Sequence, residues 1–192
     1  MARKPGWNNS CGVTLVELLV VLALMGVALV ITSEPLRALR DKNHQSVQVA
    51  RFLESLRLAR AEAVMRNMPV TICPSRMFAS GAPNCAGPYS HGWIVFANQD
   101  SDRAIDAGVD RVIRVFEGLP EGFSVMNRGG EAHAGQVISY LPDGSSRSNQ
   151  TLLFCPPPDS RAEPTSIVIN NVGRPRLQQE RTACRRAGEA RT

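Results

Sequence analysis

Several features that mark enzymes are scarce or missing in this chain of 192 residues. Aromatic residues make up only 5% of it, and its three histidines, His44, His91 and His133, are isolated from one another. The chain contains no G-x-S-x-G, P-loop, H-E-x-x-H or dinucleotide-binding pattern. We therefore expect no enzymatic activity, no cofactor and no metal site.

Charge is also limited, because the formal net charge is +5 and lysine occurs only at Lys4 and Lys42. A charge this small excludes a histone-like polycation, although it allows a local basic patch. A hydrophobic share of 43% with 20% charged residues excludes a disordered chain.

Long apolar runs are absent except near the start, where Val13–Ser33 contains a single charge, Glu17. A helix of this length matches the ~30 Å hydrocarbon core of a bilayer. Arg3 and Lys4 precede it, which by the positive-inside rule keeps the N-terminus cytoplasmic and exports the remainder. No small-residue cleavage site follows the run, which argues against a removable secretory signal. We expect a single-pass membrane protein.

The carboxylate of Glu17 is unusual at membrane depth, where it costs about 2.5–3.5 kcal/mol and is usually functional. The alternative is a carboxylate that snorkels to the interface. Gly12 followed by Val13-Thr14-Leu15-Val16-Glu17 resembles the class III signal of type IV prepilins and type II secretion pseudopilins. The resemblance implies that prepilin peptidase cleaves between Gly12 and Val13 and that Val13 is N-methylated. It also implies that Glu17 meets the N-terminal amine of a neighbouring subunit. Val13 departs from the usual first residue, Phe.

Beyond Pro35 the pattern becomes amphipathic, and Pro69 ends it. Apolar residues at three- and four-residue steps predict one buried stripe, formed by Val49, Phe52, Leu53, Leu56, Ala59, Ala63 and Val64. We therefore divide the chain into a leader (1–12), a transmembrane helix (13–34), an amphipathic helix (35–68) and a periplasmic β-rich domain (69–192).

After Pro69 the apolar period changes to two, which is typical of strands. The predicted strands are Val70–Cys73, Trp93–Ala97, Arg111–Phe116, Gln136–Leu141, Thr151–Cys155, Ser166–Asn170 and Arg174–Gln178. Short strands separated by Gly- and Pro-rich turns indicate an antiparallel sheet or small sandwich. The expected fold class is therefore α+β, with a long N-terminal helix packed on a C-terminal antiparallel domain.

The family resemblance extends over nearly the whole chain after Gly12. The segments that carry it are 59–73, Gly92-Trp93-Ile94-Val95-Phe96, 110–115 and Gly173-Arg174-Pro175-Arg176. Together they resemble minor pilins of the FimT/FimU type and the related GspH minor pseudopilins. The resemblance implies a pilin-like fold in the inner membrane and assembly with other major and minor pilins into a type IV pilus. The alternative is a minor pseudopilin of the type II secretion system.

Five cysteines are an odd number, but cleavage after Gly12 would remove Cys11. The remaining four, Cys73, Cys85, Cys155 and Cys184, fall in the exported part, where disulfides form readily. Four cysteines allow three pairings, and proximity in sequence favours Cys73–Cys85 and Cys155–Cys184. The alternative role for the four cysteines is a zinc site, but no C-x-x-C spacing supports it.

An acidic segment follows the second predicted strand and raises the question of calcium. Asn98, Asp100 and Asp102 occupy odd positions of an EF-type loop, but Arg103 replaces the required Gly and Val109 replaces the bidentate Glu. We therefore expect a solvated hairpin loop.

The C-terminus is basic, because Gly173–Thr192 contains six arginines and two glutamates. Guanidinium groups bind phosphates bidentately, which suits a nucleic-acid backbone. On a strand, Arg174 and Arg176 would point to one face. The motif beginning at Gly173 also matches the G-R-x-R motif of FimT-like pilins, which implies binding of double-stranded DNA. The candidate residues are Gly173, Arg174, Arg176, Arg181, Arg185 and Arg186; the alternative is a solvated basic tail.

Overall fold

The computed structural model describes residues 12, 14–102, 104–130, 132–179 and 184, without the side chains of residues 28–35. The chain divides into two units, residues 1–39 and 40–192. Helix α1 covers Leu15–Arg66, which confirms the predicted long N-terminal helix. Within the described part of the chain, no helix is long and apolar enough to cross a membrane.

The end of α1 follows from Asn67, the residue after the last helical position. Asn67 adopts a left-handed backbone with φ 52°, which asparagine tolerates better than most residues. The N–H of Met68 then donates to the carbonyl of Ala63 at 3.3 Å, as in a Schellman motif. Because Pro69 follows, the helix cannot continue.

The strands that the structure describes form two antiparallel four-stranded sheets. They are β1 Val70–Pro74, β2 Gly92–Ala97, β3 Arg111–Glu117, β4 Ser124–Met126, β5 Ile138–Tyr140, β6 Gln150–Cys155, β7 Thr165–Ile169 and β8 Pro175–Gln179. Sheet 1 has the strand order β3-β2-β1-β5, and sheet 2 has the order β4-β6-β7-β8. A short helix α2, Met77–Ser80, and a 3-10 turn, Tyr89–His91, lie between β1 and β2.

All seven predicted strands are present, with ends that differ by up to two residues. Two elements were not predicted: β4, which is only three residues long, and α2. The prediction that Arg174 lies on a strand and shares a face with Arg176 was wrong. Strand β8 begins at Pro175, and Arg174 lies just before it. The positive φ of Gly173, 75°, makes a turn that delays the start of the strand.

The core lies between α1 and the two sheets. The predicted stripe is buried from Val49 to Ala63, but Val64 is 52% exposed and the prediction was wrong there. Val64 lies at the border of the stripe, in the last turn of the helix. Sheet 1 contributes Ile72 and Trp93 to the core, and sheet 2 contributes Leu152, Phe154 and Ile167.

Candidate functional site

The N-terminal end of α1 contains the residues that the prepilin signal predicts to be functional. Gly12 is exposed, and Val13 lies outside the described residues. The backbone N–H of Glu17 donates to Oγ1 of Thr14 at 3.3 Å. Thr14 thus caps the helix. The exposed carboxylate of Glu17 lies in the first turn, where it interacts favourably with the positive end of the helix dipole. The T-x-x-E spacing could have predicted this cap, which the sequence analysis missed.

Two disulfides join the four cysteines that follow residue 12. Cys73 is bonded to Cys85 and Cys155 to Cys184, the pairings that sequence proximity favours. Each closed loop stabilises the fold by about 3 kcal/mol in the chain-entropy model. Cys184 packs with Met126, Leu153 and Cys155, and the second disulfide attaches Cys184 to sheet 2.

Gly173 forms the turn that leads into β8, and its position depends on a close backbone contact. Its N–H donates to the carbonyl of Asn170 at 2.8 Å. A Cβ atom at Gly173 would lie only 2.1 Å from the carbonyl oxygen of Gly144. That same carbonyl accepts a hydrogen bond of 2.8 Å from Nε of Arg60 on α1. The start of the G-R-x-R motif therefore packs against a carbonyl that is hydrogen-bonded to the helix.

The aromatic side chain beside this turn is Tyr140, whose Cε1 would lie 3.2 Å from a Cβ atom at Gly173. Tyr140 is fully buried, and burial raises the pKa of its hydroxyl well above its usual range, although the charge of Arg60 opposes this rise. The phenol therefore stays neutral and acts as part of the packing around the turn.

Arg174 and Arg176 are both exposed, and they differ in their secondary structure. Arg176 lies on β8 opposite Val168 of β7, whereas Arg174 precedes the strand. Within the part of the chain that the structure describes, neither guanidinium forms an ion pair with a carboxylate. Both side chains are therefore available to an anionic partner. Arg181, Arg185 and Arg186 lie outside the described residues.

The acidic loop between β2 and β3 brings three exposed carboxylates together. Ligand atoms of Asp100, Asp102 and Asp106 lie within 4.8 Å of one another. Local desolvation and then the neighbouring carboxylates, Asp102 first, raise the pKa of Asp106. Backbone N–H groups of the loop already donate to these side chains, for example Ala104 to Oδ1 of Asp102 at 2.8 Å. The solvated hairpin loop stays our prediction, since Val109 still offers no bidentate ligand.

Asn98, the first position of the calcium pattern, is buried, unlike its exposed acidic neighbours. Its side chain is buried, and Nδ2 donates to Oγ1 of Thr71 at 3.2 Å and to the carbonyl of Asp102 at 2.8 Å. The amide thus anchors the loop to β1, a packing contact that no sequence pattern indicated.

Comparison with known proteins gives two family matches. The family model for the type II transport protein GspH matches residues 48–173, and that for the prokaryotic N-terminal methylation motif matches residues 7–33. No curated protein matches the chain.

Two solved structures are similar in fold. The type IV minor pilin FimU of Pseudomonas aeruginosa has a TM-score of 0.50 and 14% identity, over 74% of this chain and 96% of that chain. The minor pseudopilin EpsH from the type 2 secretion system of Vibrio cholerae has a TM-score of 0.49 and 16% identity, over 71% and 97%. The likeness to FimU confirms the predicted α+β, pilin-like fold.

The contact between Gly173 and Gly144 predicts that Gly173→Ala is strongly destabilising. A positive φ costs alanine about 1–2 kcal/mol, and the clash with the Gly144 carbonyl adds roughly 1–3 kcal/mol. We expect the free energy of unfolding of the full chain, measured by urea titration, to fall by about 2–5 kcal/mol.

Gly81→Ala is the matched control, because Gly81 has a nearly equal φ of 73° and open space around its Cβ position. It should lose only the backbone part, about 1–2 kcal/mol. Equal losses in the two variants would contradict the importance of the Gly144 contact.

Proposed function

The chain belongs to the GspH family, and we propose that it acts as a minor pilin of a type IV pilus, in assembly initiation or the tip complex. Members of this family are pilins and pseudopilins that are assembled into a pilus or pseudopilus. The observation that carries the role as a pilin or pseudopilin is the match of the N-terminal methylation motif to residues 7–33, the segment that contains Gly12 and Glu17. We propose a structural role without enzymatic activity.

The prepilin motif implies processing by prepilin peptidase and assembly with other pilins. We propose that cleavage after Gly12 frees the amine of Val13 for methylation and that residues 13–34 anchor the chain in the inner membrane. In that environment a bare carboxylate and a bare ammonium group are both costly. Glu17 and the N-terminal amine of a neighbouring subunit would each compensate the other's charge, provided that they pair closely.

A minor pseudopilin of the type II secretion system is the second candidate. The description of the matched family, a type II transport protein, favours it. The two candidates share the fold, the processing step and the Glu17 pairing, and they differ in the filament that receives the chain.

We predict that Gly12→Ala slows removal of the leader, because the peptidase recognises the residue before the cut. The measurement is a blot of cells that express the chain together with a prepilin peptidase, and the unprocessed form should accumulate. Gly26→Ala is the control, since Gly26 lies within α1 with no atom within 4 Å of its Cβ position. A Gly12→Ala chain that matures as fast as the unaltered chain would refute the cleavage site.

We also propose that the chain binds double-stranded DNA through the motif that begins at Gly173. The support is local: Arg174 and Arg176 are exposed, and the turn before them packs on the Gly144 carbonyl, which accepts a hydrogen bond from Arg60 of α1. A packed backbone turn loses less conformational entropy on binding phosphate than a mobile tail does.

The double variant Arg174→Ala/Arg176→Ala should lose most of its affinity for duplex DNA in a gel-shift titration. If each arginine contacts one phosphate, the slope of log K against log salt should become shallower by about two. The control is Arg57→Ala/Arg111→Ala, which removes two exposed arginines elsewhere. A wild-type chain that shifts no DNA at low salt would contradict the proposal.

A further inference from the structure

A cavity of about 700 Å³ lies beside sheet 2, which is within the range of about 300–1,000 Å³ usual for ligand sites. One wall is the turn after β4, which contains Arg128 and His133. The other wall includes Asn149 and Thr151 at the start of β6 and Val168 on β7. Arg128, His133 and Asn149 are exposed, so polar groups are accessible on both walls.

The register of sheet 2 connects this cavity with the G-R-x-R motif. Thr151 is paired with Val168, and Val168 is paired with Arg176. Directly paired residues point to the same face, so these three side chains form one row across β6, β7 and β8. Two strand spacings separate the ends of the row, about 10 Å. Arg176 therefore lies at one end of a row whose other end lines the cavity.

Among the residues that the structure describes, the formal charge on sheet 2 and the cavity lining is positive. The four strands of sheet 2 contain no aspartate or glutamate, and their only charged residue is Arg176. None of the described residues that line the cavity is acidic. Glu131 belongs to the same turn and lies outside the described residues. Arg128 forms no ion pair within the part of the chain that the structure describes.

We propose that this cavity is a phosphate-binding groove, and that Arg128 extends the DNA-binding surface from β8 across sheet 2 to the β4–β5 turn. The inference rests on the proposed DNA binding and adds a second contact region to it. A duplex carries a charge about every 3.4 Å along each strand, so two cations at opposite ends of this surface contact different phosphates of one backbone. Exposed Asn149 and half-buried Thr151 add neutral hydrogen-bond donors to the same surface.

The test uses the full chain in a neutral detergent and a fluorescently labelled duplex of random sequence, with binding measured by polarisation at several salt concentrations. Arg128→Ala should weaken binding equally for unrelated duplex sequences, and the slope of log K against log salt should become shallower by about one. Arg57→Ala, which removes an exposed arginine of α1, should match the wild type.

A second variant, which keeps the shape of the side chain, distinguishes a DNA contact in the groove from a general effect of net charge. Asn149→Asp places one negative charge on the cavity wall and should weaken binding, whereas Asn43→Asp places the same charge on exposed α1 and should weaken it far less. Circular dichroism of each variant checks that the fold is retained.

The outcomes distinguish the two proposals. If Arg128→Ala and Asn149→Asp bind like the wild type while Arg174→Ala/Arg176→Ala does not bind, the groove is refuted and DNA binding by the motif stands. If the wild-type chain binds no duplex, both proposals are refuted. If Asn43→Asp weakens binding as much as Asn149→Asp, the effect is one of overall charge and the groove is refuted.

Discussion

The packing of Phe52 holds the helix and the two sheets together. Its ring is fully buried, and its centroid lies 5.1 Å from that of Trp93 in sheet 1 and 5.3 Å from that of Phe154 in sheet 2. Tyr89 meets it edge-on at 5.2 Å. Aromatic pairs at such separations contribute about 0.5–1.5 kcal/mol beyond the area that they bury. One side chain of α1 thus contacts both sheets.

Polar groups of α1 reinforce this arrangement at defined points. Nε2 of Gln45 donates to the carbonyl of Phe154 at 2.9 Å, and Nη2 of Arg51 donates to the carbonyl of Glu117 at 2.7 Å. Arg60 completes the set by donating to Gly144. Because Gly173 packs on the same Gly144 carbonyl, the helix that organises the core also sets where the arginine motif begins. The proposed binding surface is therefore a consequence of the fold and does not depend on the tail alone.

Much of the fold could be predicted because it depends on local patterns. The stripe from Val49 to Ala63 has the helical period, and Pro69 marks a change to the period of strands. β4 could not be predicted in this way, since three residues are too few to show an alternation. Its pairing with β6, at Met126 and Leu153, depends on contacts between residues that are distant in sequence.

The candidate site was predictable to a similar extent. The prepilin signal and the arginine motif are each one continuous stretch of sequence, whereas the groove is formed by three separate segments. Arg128 follows a three-residue strand in a Gly-rich turn and has no pattern that marks it as functional. It comes beside Thr151 and Val168 only through the order of the strands in sheet 2.

The central claim, that this chain is a minor pilin of a type IV pilus, is tested most directly by mass spectrometry of surface pili sheared from cells that express the native gene. We expect the sheared pili to contain a peptide of this chain that begins at Val13 and carries an N-methyl group. The claim would be contradicted if the processed chain were missing from purified pili that contain the other pilins and if deletion of the gene instead stopped protein secretion.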